Sequence, residues 1–260
     1  MYRILQIGRT GLDTFQRKMD SISNNIANVQ TTGYKSLKVQ FEDLVYDQVA
    51  NKGVPLSLEA REKPTEIGTG SRVKSIERQF EQGIPRETSN PLDLAIQGEG
   101  FFGVRDEGGN LLLTRDGAFT VDSNGQLVDS RGNPVVGEFK FPLSQWKNIA
   151  IDESGTITVE NELGQIQGAG KITLFTVVDK NALTSVGGNY FSVENAGDLL
   201  NNQNGNEGWG KIRQGFLEQS NVDIGEELVN MLIAQRAYQI NTKSITAGDE
   251  MWNMVNQLRR

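Results

Sequence analysis

Residues 1–29 read MYRILQIGRTGLDTFQRKMDSISNNIANV, and the spacing of their apolar side chains decides the fold. Alternating steps of three and four visit Leu5, Gly8, Leu12, Phe15, Met19, Ile22, Ile26 and Val29, and seven of those eight positions are apolar. A period of about 3.5 residues held over more than three heptads predicts a coiled-coil helix with a narrow seam. Arg9, Asp13, Gln16, Arg17, Lys18, Asp20, Asn24 and Asn25 fall between the seam positions and make a wet outer face. So narrow a seam gives little stability alone, and the helix needs a partner.

The same spacing returns at the far end of the chain. Leu228, Met231, Gln235, Tyr238, Thr242, Ile245, Asp249 and Trp252 again step in threes and fours. A second stripe, Val229, Leu232, Ile233, Ala237 and Ile240, widens the apolar face early in this helix, enough for more than one neighbour. Asp223 and Glu226 fit a capping box at its start, and Arg259 with Arg260 suit the negative end of its dipole.

Between the ends the period changes. The first helix is expected to stop near Val29, before Gln30-Thr31-Thr32-Gly33. The asparagines of Ser23–Lys35 either mark a frayed helix end or bond to neighbours, and spacing alone leaves both readings open. Phe41, Leu44, Val45 and Val49 suggest a short helix or an extended arm. A long polar excursion from Asp47 to Gly70 follows, read as irregular or as a β-hairpin. Residues 76–200 read as short strands joined by Gly-containing turns. Asp-x-x-Gly-x-Leu/Ile occurs at Asp106–Leu111 (with one spare Gly), Asp122–Leu127 and Asp152–Ile157. There Asp caps a tight turn and Gly supplies the positive φ. A calcium loop at Asp122–Gly125 would lack the later bidentate Glu, so the turn is the favoured reading. Asn195–Gly210, rich in Asn and Gly, reads as a loop.

The expected fold is therefore mixed α and β, with discontinuous N- and C-terminal coiled-coil helices flanking a β-rich insert. The expected domains are 1–33 with 221–260, a connecting region of 34–75 with 208–220, and a β-rich body at 76–207.

Composition narrows the function. The 260 residues include no Cys and no His, which removes disulfides, thiolate metal sites and the commonest general base. A net charge of −7 argues against nucleic acid as partner. No apolar run approaches the roughly 18 residues of a membrane span, and Arg3 and Arg9 interrupt any signal-peptide core. The expectation is a chain with no catalytic residue, cofactor or metal. Against it stand a glycan-acting enzyme using carboxylates drawn from Asp93, Glu99, Asp116 or Asp122, and a carbohydrate-binding β module resting on Trp146 and Trp209. With 33 acidic residues, chance carboxylate pairs are plentiful, and Arg115-Asp116-Gly117 reads as a turn with a local ion pair.

Four stretches carry a resemblance: NNIANVQTTGYK at 24–35, NPLDLAIQGEGFFGV at 90–104, TRDGAF at 114–119 with VDSNGQLV following, and EQSNVDIGEELVNMLIAQRAYQINTKSI at 218–245. In this order they make the chain similar to the flagellar rod–hook family over nearly its whole length. Chain length and the excursion ending in Ile67-Gly68-Thr69-Gly70 favour the distal-rod branch over the shorter proximal rod subunits and the longer hook protein, with proximal relatives the nearest alternative. The resemblance implies a structural subunit of the flagellar basal body, exported by the flagellar type III system. It implies assembly into a hollow helical tube whose inner layer is the terminal helices, with no nucleic acid and no membrane span. The implied partners are further copies, proximal rod proteins, the hook protein, and P-ring and L-ring proteins where an outer membrane exists. The assembly seam would be Leu5, Leu12, Phe15, Met19, Ile22, Ile26, Leu228, Met231, Leu232, Tyr238, Ile245 and Trp252. The family motif is carried by Asn24, Asn25, Asn28, Gly33, Tyr34 and Lys35.

Overall fold

The computed structural model describes residues 2–48, 66–139, 146–161, 166–193, 199–202 and 209–258. They form two compact units: residues 1–27, 37–78 and 223–260 in one, and 28–36 with 79–222 in the other. The sequence drew its boundaries at 33, 75, 207 and 220, with a separate connecting domain. The contacts instead group 37–78 with the helices.

The helix unit holds helix α1 (Tyr2–Ala27) and helix α2 (Ile224–Leu258). They run antiparallel: Leu5 packs on Gly248, Gly8 on Ile245, Gly11 on Asn241, and Asn25 bonds Glu227. A Cβ on Gly8 would lie 2.7 Å from Ile245 Cγ1, so the missing side chain is what lets the helices approach. The last turns of α2, from Trp252 onward, run past the start of α1 in this register. Asp223 caps α2, its Oδ1 accepting from the Gly225 and Glu226 amides at 2.7 and 3.2 Å.

The segment expected as a short helix or arm is a strand, Leu37–Asp43, antiparallel to Ser71–Arg78. Strand pairing wins here: apart from a β-bulge between Gln40 and Phe41 the two strands stay in register, and α1 packs against both. Thr14 donates to the Ser71 carbonyl, Ser21 to that of Leu37, and Phe15 meets Phe41 at 6.2 Å between ring centroids. Of the excursion, the base is a pair of strands, Tyr46–Gln48 with Glu66–Gly68; residues 49–65 lie outside the described residues.

The β unit is built on a six-stranded antiparallel sheet in the order Leu183–Gly187, Tyr190–Val193, Leu111–Thr114, Phe101–Arg105, Leu174–Val177, Leu199–Asn201. A four-stranded sheet, Gly137–Phe139, Ile166–Ile172, Thr156–Asn161 and Trp146–Ile151, accompanies it. The part of the expected 195–210 loop at Leu199–Asn201 is thus an edge strand, while 203–208 lie outside the described residues.

Phe101–Val104 are buried on both faces of their strand, which explains the unbroken apolar run, and only Arg105 at its end is exposed. Phe102 and Val104 enter the larger core with Ile149, Ile157 and Ile172; Phe101 enters a second cluster with Leu113, Phe175 and Phe191. Gly103 belongs between them, because a Cβ there would come within 2.4 Å of the Phe175 ring. Phe102 meets Phe119 edge-on at 5.1 Å, the preferred aromatic geometry.

All three Asp-x-x-Gly segments are tight turns, closed by Gly109, Gly125 and Gly155 amides donating to the carbonyls of Asp106, Asp122 and Asp152. A fourth, Asp129–Gly132, escapes the pattern because Pro134 follows where Leu or Ile was sought.

Candidate functional site

Two features carry what the molecule can do: the face of α2 and the Asn-rich motif after α1. On α2, α1 leaves a long apolar stripe uncovered. Leu228, Val229, Leu232, Ile233 and Ile240 are each about half exposed or more, with Ile240 at 64%. Leu232, Ile233, Ala237 and Ile240 border a shallow apolar hollow of about 520 Å³ with Arg236 at its rim. Farther on, Trp252, Met254, Val255 and Leu258 are exposed as well. Scattered apolar residues on a surface are ordinary; here they run as a stripe along most of a 35-residue helix.

The expected seam residues divide. Ile22 is fully buried, while Leu5, Leu12, Phe15, Met19, Ile26, Met231, Tyr238 and Ile245 are half-buried. Leu228, Leu232 and Trp252 are exposed. On α1 the other buried positions are small or polar, namely Gly8, Gly11, Thr14, Ser21 and Asn25, because strands and α2 both press on the helix.

In the motif, Asn25 is no frayed end. Its side chain brackets Leu37, donating to the carbonyl at 2.9 Å and accepting the amide at 2.8 Å, and it donates to Glu227 at 2.7 Å. These bonds lie wholly within the helix unit. Asn24 is exposed on α1, and Asn28 starts the turn whose carbonyl accepts the Thr31 amide.

The motif's second half belongs to the β unit. Gly33 takes φ 65°, and a Cβ there would meet the Arg115–Asp116 peptide at 2.6 Å. Its amide donates to the Glu218 carbonyl at 2.8 Å. Tyr34 is buried beside it in sequence, and Lys35 is 1% exposed. The Lys35 ammonium donates to Glu218 Oε1 at 2.6 Å and to the Glu81 carbonyl at 2.7 Å. Arg115 donates to Glu218 Oε2 at 3.1 Å and to the Gly98 carbonyl at 2.8 Å, with its guanidinium over the Phe101 ring. Glu218 also accepts the Gly83 amide, so one buried carboxylate satisfies three donors. Burial pulls Lys35 below the ordinary lysine range, and Glu218 opposes the pull. Removing one partner from such a buried pair costs about 3–5 kcal/mol, since the other charge is left uncompensated.

The expected local Arg115–Asp116 ion pair is corrected here. Arg115 turns inward to Glu218, and Asp116 accepts from Thr32 Oγ1 at 2.9 Å and from the Ala118 amide. Burial, with Asp129 and Asp93 nearby, raises the Asp116 pKa against those two bonds. Glu218, Asn221 and Glu227 went unnoticed as partners, although all three stand in the stretch quoted at 218–245.

The other carboxylates considered for catalysis have local work. Asp93 is buried and accepts from Asn90, Glu99 pairs with Lys180, and Asp122 caps its turn through Ser123 and Asn124. Trp209 packs against the larger core of the β unit instead of offering a free ring face. No helix among the described residues is long and apolar enough to cross a membrane.

Comparison with known families matches three stretches: "Flagella basal body rod protein" at residues 5–35, "Flagellar hook protein FlgE/F/G D1 domain" at 95–159 and "Flagellar basal body rod FlgEFG protein C-terminal" at 213–258. The flagellar basal-body rod protein FlgG of Buchnera aphidicola (subsp. Acyrthosiphon pisum) is 42% identical over 98% of both chains. The chain belongs to the flagellar basal-body rod protein family. The FlgG proteins of Borreliella burgdorferi and Bacillus subtilis are 37% and 34% identical, each over 100% of both chains. This family is structural and not enzymatic, and the carboxylate reading has no support from it. Its two terminal matches cover α1 with the motif and α2, the same elements that form the helix pair and its open face.

Proposed function

We propose that this rod protein is a subunit of the distal rod, polymerising through its helix unit into a hollow helical shaft. The shaft transmits torque towards the hook and lets exported subunits pass along its bore. The observation that carries the reading is the apolar stripe of α2 from Leu228 to Ile240, half exposed in the single subunit. A burial gain of about 1.5–3 kcal/mol per large side chain, repeated along the stripe and in every copy, suffices to drive polymerisation. Length supports the distal branch, since the FlgG relatives match end to end. The partners in this reading are further copies, proximal rod proteins below, hook protein above, and P- and L-ring proteins where an outer membrane is present. Type III export to the basal body accompanies it.

Leu232→Glu combined with Ile240→Glu puts two charges into the stripe. The expected result is a monomer with an unchanged melting temperature that forms no fibres at high concentration and fails to restore motility. Normal fibres from this variant would overturn the assembly surface.

A further inference from the structure

Among the described residues the Asp-x-x-Gly turn is built four times, and the residue before its glycine is Gly108, Asn124, Arg131 or Ser154. Only one of the four turns therefore contains an Asn-Gly pair. Asn-Gly is the most labile setting for an asparagine, because the glycine nitrogen meets no side chain on its way to the carboxamide carbon. The chain holds one other such pair, Asn204–Gly205.

In the turn at 122–125 one residue bonds both groups that would have to react. Asn124 is exposed and Gly125 is buried. The Gly125 amide, whose nitrogen would attack, donates to the Asp122 carbonyl at 2.8 Å. Asn124 Nδ2, the nitrogen that would leave, donates to Asp122 Oδ2 at 3.1 Å. Asp122 is itself fixed: its Oδ1 accepts the Ser123 amide at 2.6 Å, and its own amide donates to the Gln126 carbonyl at 2.8 Å.

We propose that Asn124–Gly125 is a deamidation site held closed by Asp122. In the reaction the Gly125 nitrogen gives up its proton to solvent and bonds to Asn124 Cγ. The Cγ–Nδ2 bond breaks, and ammonia leaves. Water then opens the resulting succinimide at either carbonyl, leaving aspartate or isoaspartate; it is the sole co-reactant, and nothing is oxidised or reduced. In the native turn the Gly125 amide must first leave the Asp122 carbonyl, so the rate follows local opening of the turn. Isoaspartate lengthens the backbone by a methylene, and the turn no longer closes on Asp122. Leu127, fully buried in the larger core, follows at once, so a modified subunit loses stability. This site is a property of the β unit and does not rest on the assembly reading.

Peptide mapping by mass spectrometry tests this on the full-length protein, incubated at mildly alkaline pH both natively and in urea. Conversion is read from the mass gain of amide to acid and from the separate elution of isoaspartyl peptides. In urea both Asn-Gly pairs should react, with Asn204 the control that the conditions support the chemistry. Natively, Asn124 should convert at least about tenfold more slowly than in urea. Asp122→Ala should raise the native rate at 124 at least about tenfold, while amides of Phe101–Val104 keep their protection from hydrogen exchange. Asp122→Asn keeps an acceptor for the Ser123 amide and replaces the oxygen that faces Asn124. It should raise the rate a few-fold, and it covers the case in which Asp122→Ala does not fold. Equal rates at 124 in native and urea-unfolded protein, or no acceleration in either variant, would overturn the proposal.

Discussion

The β unit and the helix unit use apolar residues in opposite ways. In the β unit Phe102, Val104, Ile157 and Ile172 are essentially inaccessible, and Phe101–Val104 are covered on both faces of their strand. In the helix unit the large side chains of α2 stay about half in water, and the positions α1 buries most fully include two glycines, a threonine and a serine. One unit spends its apolar surface on its own core. The other leaves much of it in water. Regularity of secondary structure is therefore no guide to burial here, since the 35-residue helix is the part that leaves its apolar side chains exposed.

This contrast can be broken most forcefully in the β unit. Phe102→Ala should cost about 3–5 kcal/mol, measured by chemical denaturation of the monomer. The equivalent truncation on the α2 stripe, Leu232→Ala, should leave monomer stability within about 0.5 kcal/mol and act on assembly alone. Equal losses at the two sites would erase the distinction between the units. Glu218→Gln is expected to approach the Phe102 effect, at about 3–5 kcal/mol, because it removes the anion facing both Lys35 and Arg115.

Gly8→Val sharpens the comparison from the other side. The added methyls collide with Ile245 and should weaken the helix pair by about 1–3 kcal/mol, seen as a raised critical concentration for fibres with no change in β-unit melting.

The smallest effect concerns pH. Asp116 has its pKa raised in the folded state, so between its unfolded and folded values the native protein binds more protons than the unfolded chain. Its contribution to stability therefore increases as pH falls from neutral through the raised value, and saturates below the unfolded one. Asp116→Asn, which still accepts from Thr32 and Ala118, should remove that component. The check is the difference in melting temperature between pH 7 and pH 5 for the two proteins; identical differences would refute the assignment.

Much of this was legible from residues alone. The helices announce themselves by period, and the turns at Asp106, Asp122 and Asp152 by the pairing of a capping carboxylate with a glycine. Gly8 shows where such reading stops. It was the one seam position without an apolar side chain, yet α2 passes so near that a Cβ there would lie 2.7 Å from Ile245, because a hydrophobic period counts side chains and is blind to the value of having none. At Phe41, Leu44 and Val45 the spacing left a short helix and an extended arm both open, and only the pairing of 37–43 with 71–78 beneath α1 decides for a strand. Arg115 and Glu218 stand 103 residues apart, and nothing local to either says that the two charges meet. The seam on α2 was visible as a stripe, but which of its residues a single subunit covers depends on the offset of α1, which the glycines set.

The central claim is that the α2 stripe is covered by other copies in the polymer. The chain has no cysteine, so Leu232→Cys and Ile240→Cys each supply a single reporter thiol. Labelling with a small maleimide should be fast in the monomer and at least about tenfold slower in fibres of the same protein, while a thiol at exposed Val186 on the β unit serves as the accessibility control. Equal labelling of 232 and 240 in monomer and fibre would contradict the account.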